Sequence, residues 1–171
     1  PEEIIQLIAA DEINLLKDSQ LPSELPILPI KNTVLFPGVV IPITVGRQKS
    51  VRLVKHAYKG DRIIGVTAQK NVKIEEPSAE DLNTIGTVAK ILKMLVLPDG
   101  NTTIIIQGQK RFKINEIITE TPYIKAKYQV LDDLDFDLNK EKTQALTQSL
   151  KDTAYKIMKL NPEIPKEAKI A

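Results

Sequence analysis

The sequence predicts a mainly β fold of the α+β kind: a small curled sheet with one helix laid across it, followed by a helical segment. Three observations carry that prediction. β-Branched and other apolar residues dominate from Leu25 to Leu131, in short runs broken by turn residues. One stretch inside that region, Arg47 to Lys59, switches to helical spacing. Pro26, Pro29, Pro37 and Pro42 punctuate the first two runs, and proline fixes φ and lacks an N–H, so a sheet holds it only at edges, first positions or bulges. Strands punctuated this way belong on the rim of a small sheet.

The elements follow in order. Residues 1–24 are acidic, with apolar positions at Ile4, Ile5, Leu7 and Ile8 and again at Ile13, Leu15 and Leu16; a short helix or an extended arm fits equally. Ile27–Ile30 and Val39–Val45 read as strands on either side of a Phe36-Pro37-Gly38 corner. In Arg47–Lys59, Val51, Val54 and Tyr58, with Leu53 and Ala57 beside them, line one helical face, with Arg47, Lys49, Arg52, Lys55 and Lys59 toward solvent and Gly60 as the stop. That apolar face is expected to close one end of the sheet.

Arg62–Gln69 reads as the next strand, and Asn71–Asn83 as an acidic, proline-containing connection. Gly86–Leu97 and Thr102–Gln109 flank Pro98-Asp99-Gly100-Asn101, a turn whose Asp-Gly pair tolerates positive φ, which makes this the clearest hairpin in the chain. Further strands are expected at Phe112–Ile118 and Tyr123–Leu131. After the acidic stop Asp132–Asp137, residues Lys140–Leu160 are helical, with Leu146, Leu150, Ala154 and Ile157 on one face, until Asn161-Pro162-Glu163-Ile164-Pro165 breaks the pattern.

Composition narrows the function classes. The 171 residues have a net charge of +2, distributed unevenly: residues 1–26 carry −5 and residues 27–127 carry +8. There is no cysteine, which rules out disulfides and Cys-based metal or redox sites and points to a reducing compartment, so a cytoplasmic location is expected. No apolar run reaches the roughly 18–20 residues needed to span a bilayer, and no membrane partner is expected. The chain begins at Pro1 and ends in Ala168-Lys169-Ile170-Ala171, and is read as a piece of a longer protein.

Catalytic signatures are weak throughout. Gly60-Asp61-Arg62-Ile63-Ile64-Gly65 has P-loop glycine spacing, but Val66 and Thr67 stand where Lys and Ser/Thr are needed. Asp133, Asp135 and Asp137 imitate a calcium loop, yet Leu138 replaces the required glycine and Gln144 the bidentate glutamate. His56 is the only histidine and sits on a basic helix, and none of Ser19, Ser23, Ser50, Ser78 or Ser149 lies in a nucleophile elbow. Ser149 lies two residues from Lys151, but an exposed amphipathic helix lacks the shaped surroundings of a Ser-Lys dyad. No catalytic, metal or cofactor-binding residue is expected.

What remains is surface. The two alternating faces of Gly86–Leu97 are both mostly apolar, so either the strand is buried on both sides or one face presents Met and Leu to solvent. An exposed hairpin of that composition is an adaptable contact site for unrelated apolar segments. The candidate contact residues are therefore Leu92, Met94, Leu95, Leu97 and Pro98 on the hairpin, with Phe36, Pro37 and Val39 at the corner. Against a nucleic-acid partner, only 4% of residues are aromatic and the basic residues are scattered rather than gathered with stacking rings.

Several segments, in order and at similar separations, resemble the N-terminal domain of Lon, the ATP-dependent protease of bacteria and organelles. They are Leu25-Pro26-Ile27-Leu28-Pro29-Ile30, Leu35-Phe36-Pro37-Gly38 with Ile41-Pro42, Val45-Gly46-Arg47 with Ser50, Val66 with Ala68-Gln69-Lys70, and Asp81-Leu82 leading into Ile85-Gly86-Thr87-Val88-Ala89. Leu97-Pro98-Asp99-Gly100, Gln107-Gly108 with Arg111-Phe112, and Leu160-Asn161-Pro162-Glu163-Ile164-Pro165 complete the set. The resemblance implies a PUA-like curled β-barrel of about six strands with one crossing helix over residues 25–131, preceded by an acidic arm at 1–24 and followed by the truncated start of a helical subdomain at 132–171.

It further implies a unit upstream of an AAA+ ATPase module and a Ser-Lys peptidase domain, within a homohexamer, that helps recognise unfolded or degron-bearing protein substrates. Neither catalytic module lies in these residues. ATP and Mg would belong to the ATPase module, and the fragment alone is expected to be inactive. Two other readings stay open: an RNA-binding PUA-like module, by fold analogy only, and a purely structural domain for hexamer assembly.

Overall fold

Six strands form one sheet that curls until its ends meet. In the computed structural model, which describes residues 16–96, 101–132 and 140–160, the elements are β1 (Glu24–Ile30), β2 (Val40–Val45), α1 (Gln48–Lys59), β3 (Ile63–Ala68), β4 (Ile85–Val96), β5 (Thr102–Thr119), β6 (Lys125–Leu131) and α2 (Glu141–Leu160). The strand order is β2-β5-β4-β3-β1-β6, and β6 pairs again with β5. Strands β5, β4, β3, β1 and β6 therefore make a closed ring. β2 lies outside it, alongside the first half of β5.

The closure depends on the length of β5. One of its edges is covered by β4 over Thr102–Lys113, while the other is shared in sequence, by β2 over Thr102–Gln107 and by β6 over Arg111–Thr119. Thr102–Gln109 and Phe112–Ile118, expected as two strands, are thus one. Register shifts on both partners supply the bend: one between Thr87 and Ala89 of β4, one between Ile91 and Lys93, and two against β6. An extra residue on one strand increases twist and lets a sheet coil into a barrel.

The prolines obey the ladder, though not all as rim residues. β1 is an interior strand, antiparallel to β6 through Glu24–Pro26 and parallel to β3 through Ile27–Ile30. Pro26 precedes the first residue paired with β3, and Pro29 follows the last one paired with β6, so neither missing N–H interrupts a ladder. β2 is the true edge strand, with Pro42 at its middle.

Two clusters of buried side chains fill the barrel. The first joins Leu28, Leu35, Ile64, Ile91, Ile104 and Ile106 to the inner face of α1, where Leu53, Val54 and Ala57 are buried, so the helix covers the sheet as its spacing predicts. Phe112 dominates the second cluster, with Leu25, Ile27, Val88 and Ala126 around it. A Cβ at Gly65 or Gly86 would fall within 3.0 Å of the Phe112 ring, so the ring occupies the space those two residues leave. Leu16 and Leu21 pack against this second cluster, and Leu16 N donates to Gln109 Oε1 at 2.6 Å, which fastens the end of the N-terminal segment to the barrel.

By itself, residues 133–171 form a second compact unit. Its described part, α2, is amphipathic, and Leu146, Leu150, Ile157 and Leu160 are exposed along it.

Candidate functional site: an apolar corner pinned to the barrel

Loop residues between β1 and β2 are held at two points. Leu35 is buried in the first core cluster, and its carbonyl accepts a 2.6 Å hydrogen bond from Thr87 Oγ1. Further along, Gly38 N donates to Gly108 O and Gly108 N donates to Val39 O, both at 2.9 Å. With Leu35 turned inward, the alternation of side chains turns its two neighbours outward. Val34 is 60% and Phe36 54% exposed, and Val39 is also exposed.

Across from this corner stands Ile85, 55% exposed at the start of β4. Val34, Phe36 and Ile85 share a groove whose floor includes Leu35, Val66 and Gly86, with Arg111 also lining it. Three exposed apolar side chains converge on it from segments fixed by core packing. An apolar groove rimmed in this way is a candidate contact surface.

The hairpin behaves differently from the expectation of an exposed contact strand. Leu92 is only 3% exposed and forms a small core of its own with Ile105 and Val40 on the outer face of the sheet. It is the extra residue in the shift between Ile91 and Lys93. That shift reverses the parity of β4: Ala89 and Ile91 point into the first cluster, and beyond Leu92 it is Met94, not Lys93, that packs against the same cluster. Met94 and Leu95 are half-buried, and Val96 is exposed. Leu97 and Pro98, with the turn expected there, lie outside the described residues, as do Asp133, Asp135 and Asp137.

Phe36 and Val39 are exposed and Pro37 is half-buried, while Leu92 is buried. Val34 and Ile85 were missing from the residues named on sequence grounds. Val34 had a signal, since it flanks Leu35 as Phe36 does; Ile85 had none, because its exposure follows from where the barrel places the first turn of β4.

Charge is arranged elsewhere. Helix α1 carries Lys49, Arg52, Lys55 and Lys59 exposed and has no acidic residue. The nearby rings are engaged: the Arg62 guanidinium stands 4.5 Å over Tyr58, and the Tyr123 hydroxyl lies 2.6 Å from His56 Nδ1. Among the described residues, no free stacking platform accompanies the basic stripe, which a single-stranded nucleic-acid site would need. Among the described residues, no cluster of three or more His, Asp or Glu is placed to hold a metal. The Gly60–Gly65 segment runs from a helix end into β3, the reverse of a phosphate loop.

Ser78 and Asp81 close a capping box on the short 3₁₀ turn Ala79–Asp81. Hydrogen bonds from the Ser78 hydroxyl and from its backbone N–H, both 2.8 Å, hold the Asp81 carboxyl below the usual carboxylate range. Lys125 is held above the usual lysine range, chiefly by its hydrogen bond to Glu24 across the β1–β6 pairing, and Lys127 likewise by Glu116.

Comparison with known proteins places this surface in context. The model of the ATP-dependent protease La (LON) substrate-binding domain matches residues 24–171. The chain is 58% identical to the Lon protease of Cytophaga hutchinsonii, over 100% of this chain and 21% of that protein, and 46% identical to the Lon protease of Flavobacterium johnsoniae, over 99% and 21%. It thus spans about a fifth of the length of the curated relatives it matches. Among solved structures, a Lon N-terminal domain protein from Xanthomonas campestris superposes with a TM-score of 0.59 at 18% identity, covering 78% of this chain and 75% of that one. The N-terminal domain of the Mycobacterium avium complex Lon protease does so at 0.54 and 17%, covering 80% and 73%. Both likenesses bear on the fold alone.

Proposed function

The chain belongs to the family of Lon substrate-binding domains, and from that premise we propose that it captures misfolded or tagged proteins through the apolar corner for an ATP-dependent serine protease. The observation that carries this reading is the groove where Val34, Phe36 and Ile85 stand exposed on a backbone that Leu35 and Gly108 hold in place. Misfolded chains display apolar residues that native proteins bury, so a modest apolar surface selects them without reading a sequence. In this reading Pro37 and Val39 extend the contact, whereas Met94 and Leu95, paired with Ile104 and Thr103 at the far end of β4, lie away from it.

The remaining modules belong to the longer protein in this reading: an AAA+ ATPase that uses ATP and Mg, a peptidase with a Ser-Lys pair, and a homohexamer. Six corners tethered in one assembly would raise avidity through effective concentration.

The test is chemical-shift mapping of the 171-residue chain with a permanently denatured, unlabelled model substrate. Shifts are expected at Val34, Phe36 and Ile85, and Phe36→Asp should abolish them without unfolding the domain. Shifts confined to other surfaces would refute the corner. In the longer protein, Phe36→Asp is expected to lower substrate turnover with the oligomer intact, whereas a purely structural domain would lose the oligomer first.

A further inference from the structure

Closure of the barrel stops short at one end. β6 pairs with β1 through Pro26, with Ile27 N donating to Ile124 O at 2.8 Å, so from Pro29 onward the edge of β1 that faces away from β3 has, among the described residues, no strand beside it. β2, in turn, has β5 on one edge and, among the described residues, no strand on the other. The two unpaired edges border a single groove of about 800 Å³, lined by Pro29, Ile30 and Lys31 on one side and by Ile41, Pro42 and Thr44 on the other.

Register dictates which backbone groups point into that groove. Gly108 N donates to Val39 O, and the pairing runs unbroken from Val40 opposite Gln107 to Val45 opposite Thr102. Backbone groups alternate sides along a strand. Ile41, Ile43 and Val45 therefore bond to β5, and Val40, Pro42 and Thr44 turn theirs outward. The outward edge offers N–H donors at Val40 and Thr44 and carbonyl acceptors at all three positions; Pro42 has no donor to give.

We infer that this slot takes an extended segment of another polypeptide, which adds to β2 as a further strand. The inference rests on the reading of the domain as a capture module, and it names what is recognised there: main chain rather than side chains. Donors and acceptors repeating every two residues, about 7 Å, match an extended peptide. The slot's length suits five or six residues, since β2 itself spans about 20 Å. The rim carries Lys31 paired with Glu75 at 3.1 Å, and Arg47, which donates to Gln69 Oε1, so a single net positive charge remains and main-chain pairing, not charge, is the principal contact. A folded protein cannot enter, because its interior strands are already paired. Pro42 leaves the ladder incomplete, which keeps capture reversible and discourages the same edge from pairing with a second copy.

The experiment uses a fluorescent, unstructured ten-residue peptide of alternating valine and threonine, with two derivatives N-methylated at alternate backbone positions, titrated into the 171-residue chain. One methylated set should bind at least tenfold more weakly and the other within twofold of the parent peptide, because one edge of the peptide faces β2. Thr44→Pro, which removes an outward donor and no backbone bond to β5, should weaken binding at least fivefold; Thr44→Val, which loses the same 3.1 Å hydroxyl contact with Thr103 but keeps the outward donor, should leave it unchanged. If both methylated peptides bind like the parent, or if the parent fails to bind at millimolar concentration while denatured substrate still shifts the corner resonances, the slot is refuted and the corner stands. If the methylation pattern holds and Phe36→Asp changes nothing, the corner fails and the slot stands. A chain that sediments as a dimer the peptide cannot dissociate would assign the slot to a second copy and overturn the inference.

Discussion

The carbonyl of Phe36 occupies the space that a side chain at position 108 would fill: a Cβ on Gly108 would lie well inside 3.0 Å of that oxygen, with the Phe36 carbonyl carbon also within 3.0 Å. The exposed corner is thus seated on β5 through a position that admits only glycine. Because the obstructing atoms are backbone, no rotamer change relieves the clash. Gly108→Ala should cost about 1–3 kcal/mol, the usual range for forced overpacking, read as a lower urea midpoint at unchanged slope. An unaltered midpoint would mean that the corner is not held there.

Leu92 and Phe36 should respond in opposite ways. Leu92→Ala empties the small outer core beside Ile105 and Val40 and is expected to destabilise by about 2–4 kcal/mol. Phe36→Ala, at an exposed position, should stay within about 0.5 kcal/mol while binding of denatured substrate drops. Chemical denaturation of the two variants decides it, and equal losses would contradict the burial of one and the exposure of the other.

Pro42→Thr restores the donor missing from the free edge of β2. Unprotected edges with a full row of donors and acceptors pair with other chains. Concentration-dependent sedimentation is expected to rise in the variant, with little change in its unfolding midpoint. A variant as monodisperse as the parent chain would show that Pro42 does not guard the edge.

The pH response has two arms of opposite sign. The folded Asp81 carboxyl titrates below its unfolded counterpart, so the Ser78–Asp81 box contributes stability above the ordinary carboxylate pKa of about 3.9 and loses it as pH falls through the depressed value. Ser78→Ala should be less stable than the parent near neutrality and converge with it on acidification. Lys125 titrates above its unfolded counterpart, so its bond to Glu24 contributes fully below about pH 10.4 and is lost as pH rises through the elevated value. Glu24→Gln should differ from the parent at neutral pH and converge with it in strong alkali. Thermal melts across both ranges read the two effects, and a constant difference across either range would remove that pair from the account.

Much of this architecture was legible because local chemistry and tertiary environment agree. Helix α1 appears where its spacing and the terminal Gly60 place it, and Pro42 marks the edge strand it sits on. The prolines of β1 misled for a physical reason: a strand that changes partners midway can hold a proline on each side of the change and still be interior. β4 was ambiguous because alternation assumes an unbroken register. The extra residue at Leu92 reverses the parity, and an outer core uses the side chain that the barrel interior does not. At the corner, the exposure of Phe36 and Val39 is what the local sequence suggests, whereas Ile85 meets Val34 and Phe36 at one groove only through barrel closure, which no local pattern encodes.

That closure also sets an order of events during synthesis. Glu24 pairs with Lys127, roughly a hundred residues later, whereas β4 and β5 are joined by a short connection. Contacts so distant in sequence form slowly and late, and local hairpins early. A nascent chain can build its central hairpin while β1 still lacks β6, and the ring can be sealed only once Leu131 has left the ribosome. Until then the edges of β1 and β5 that β6 will cover stay open to other chains, and the unfinished domain carries the same exposed edges as any incompletely folded protein.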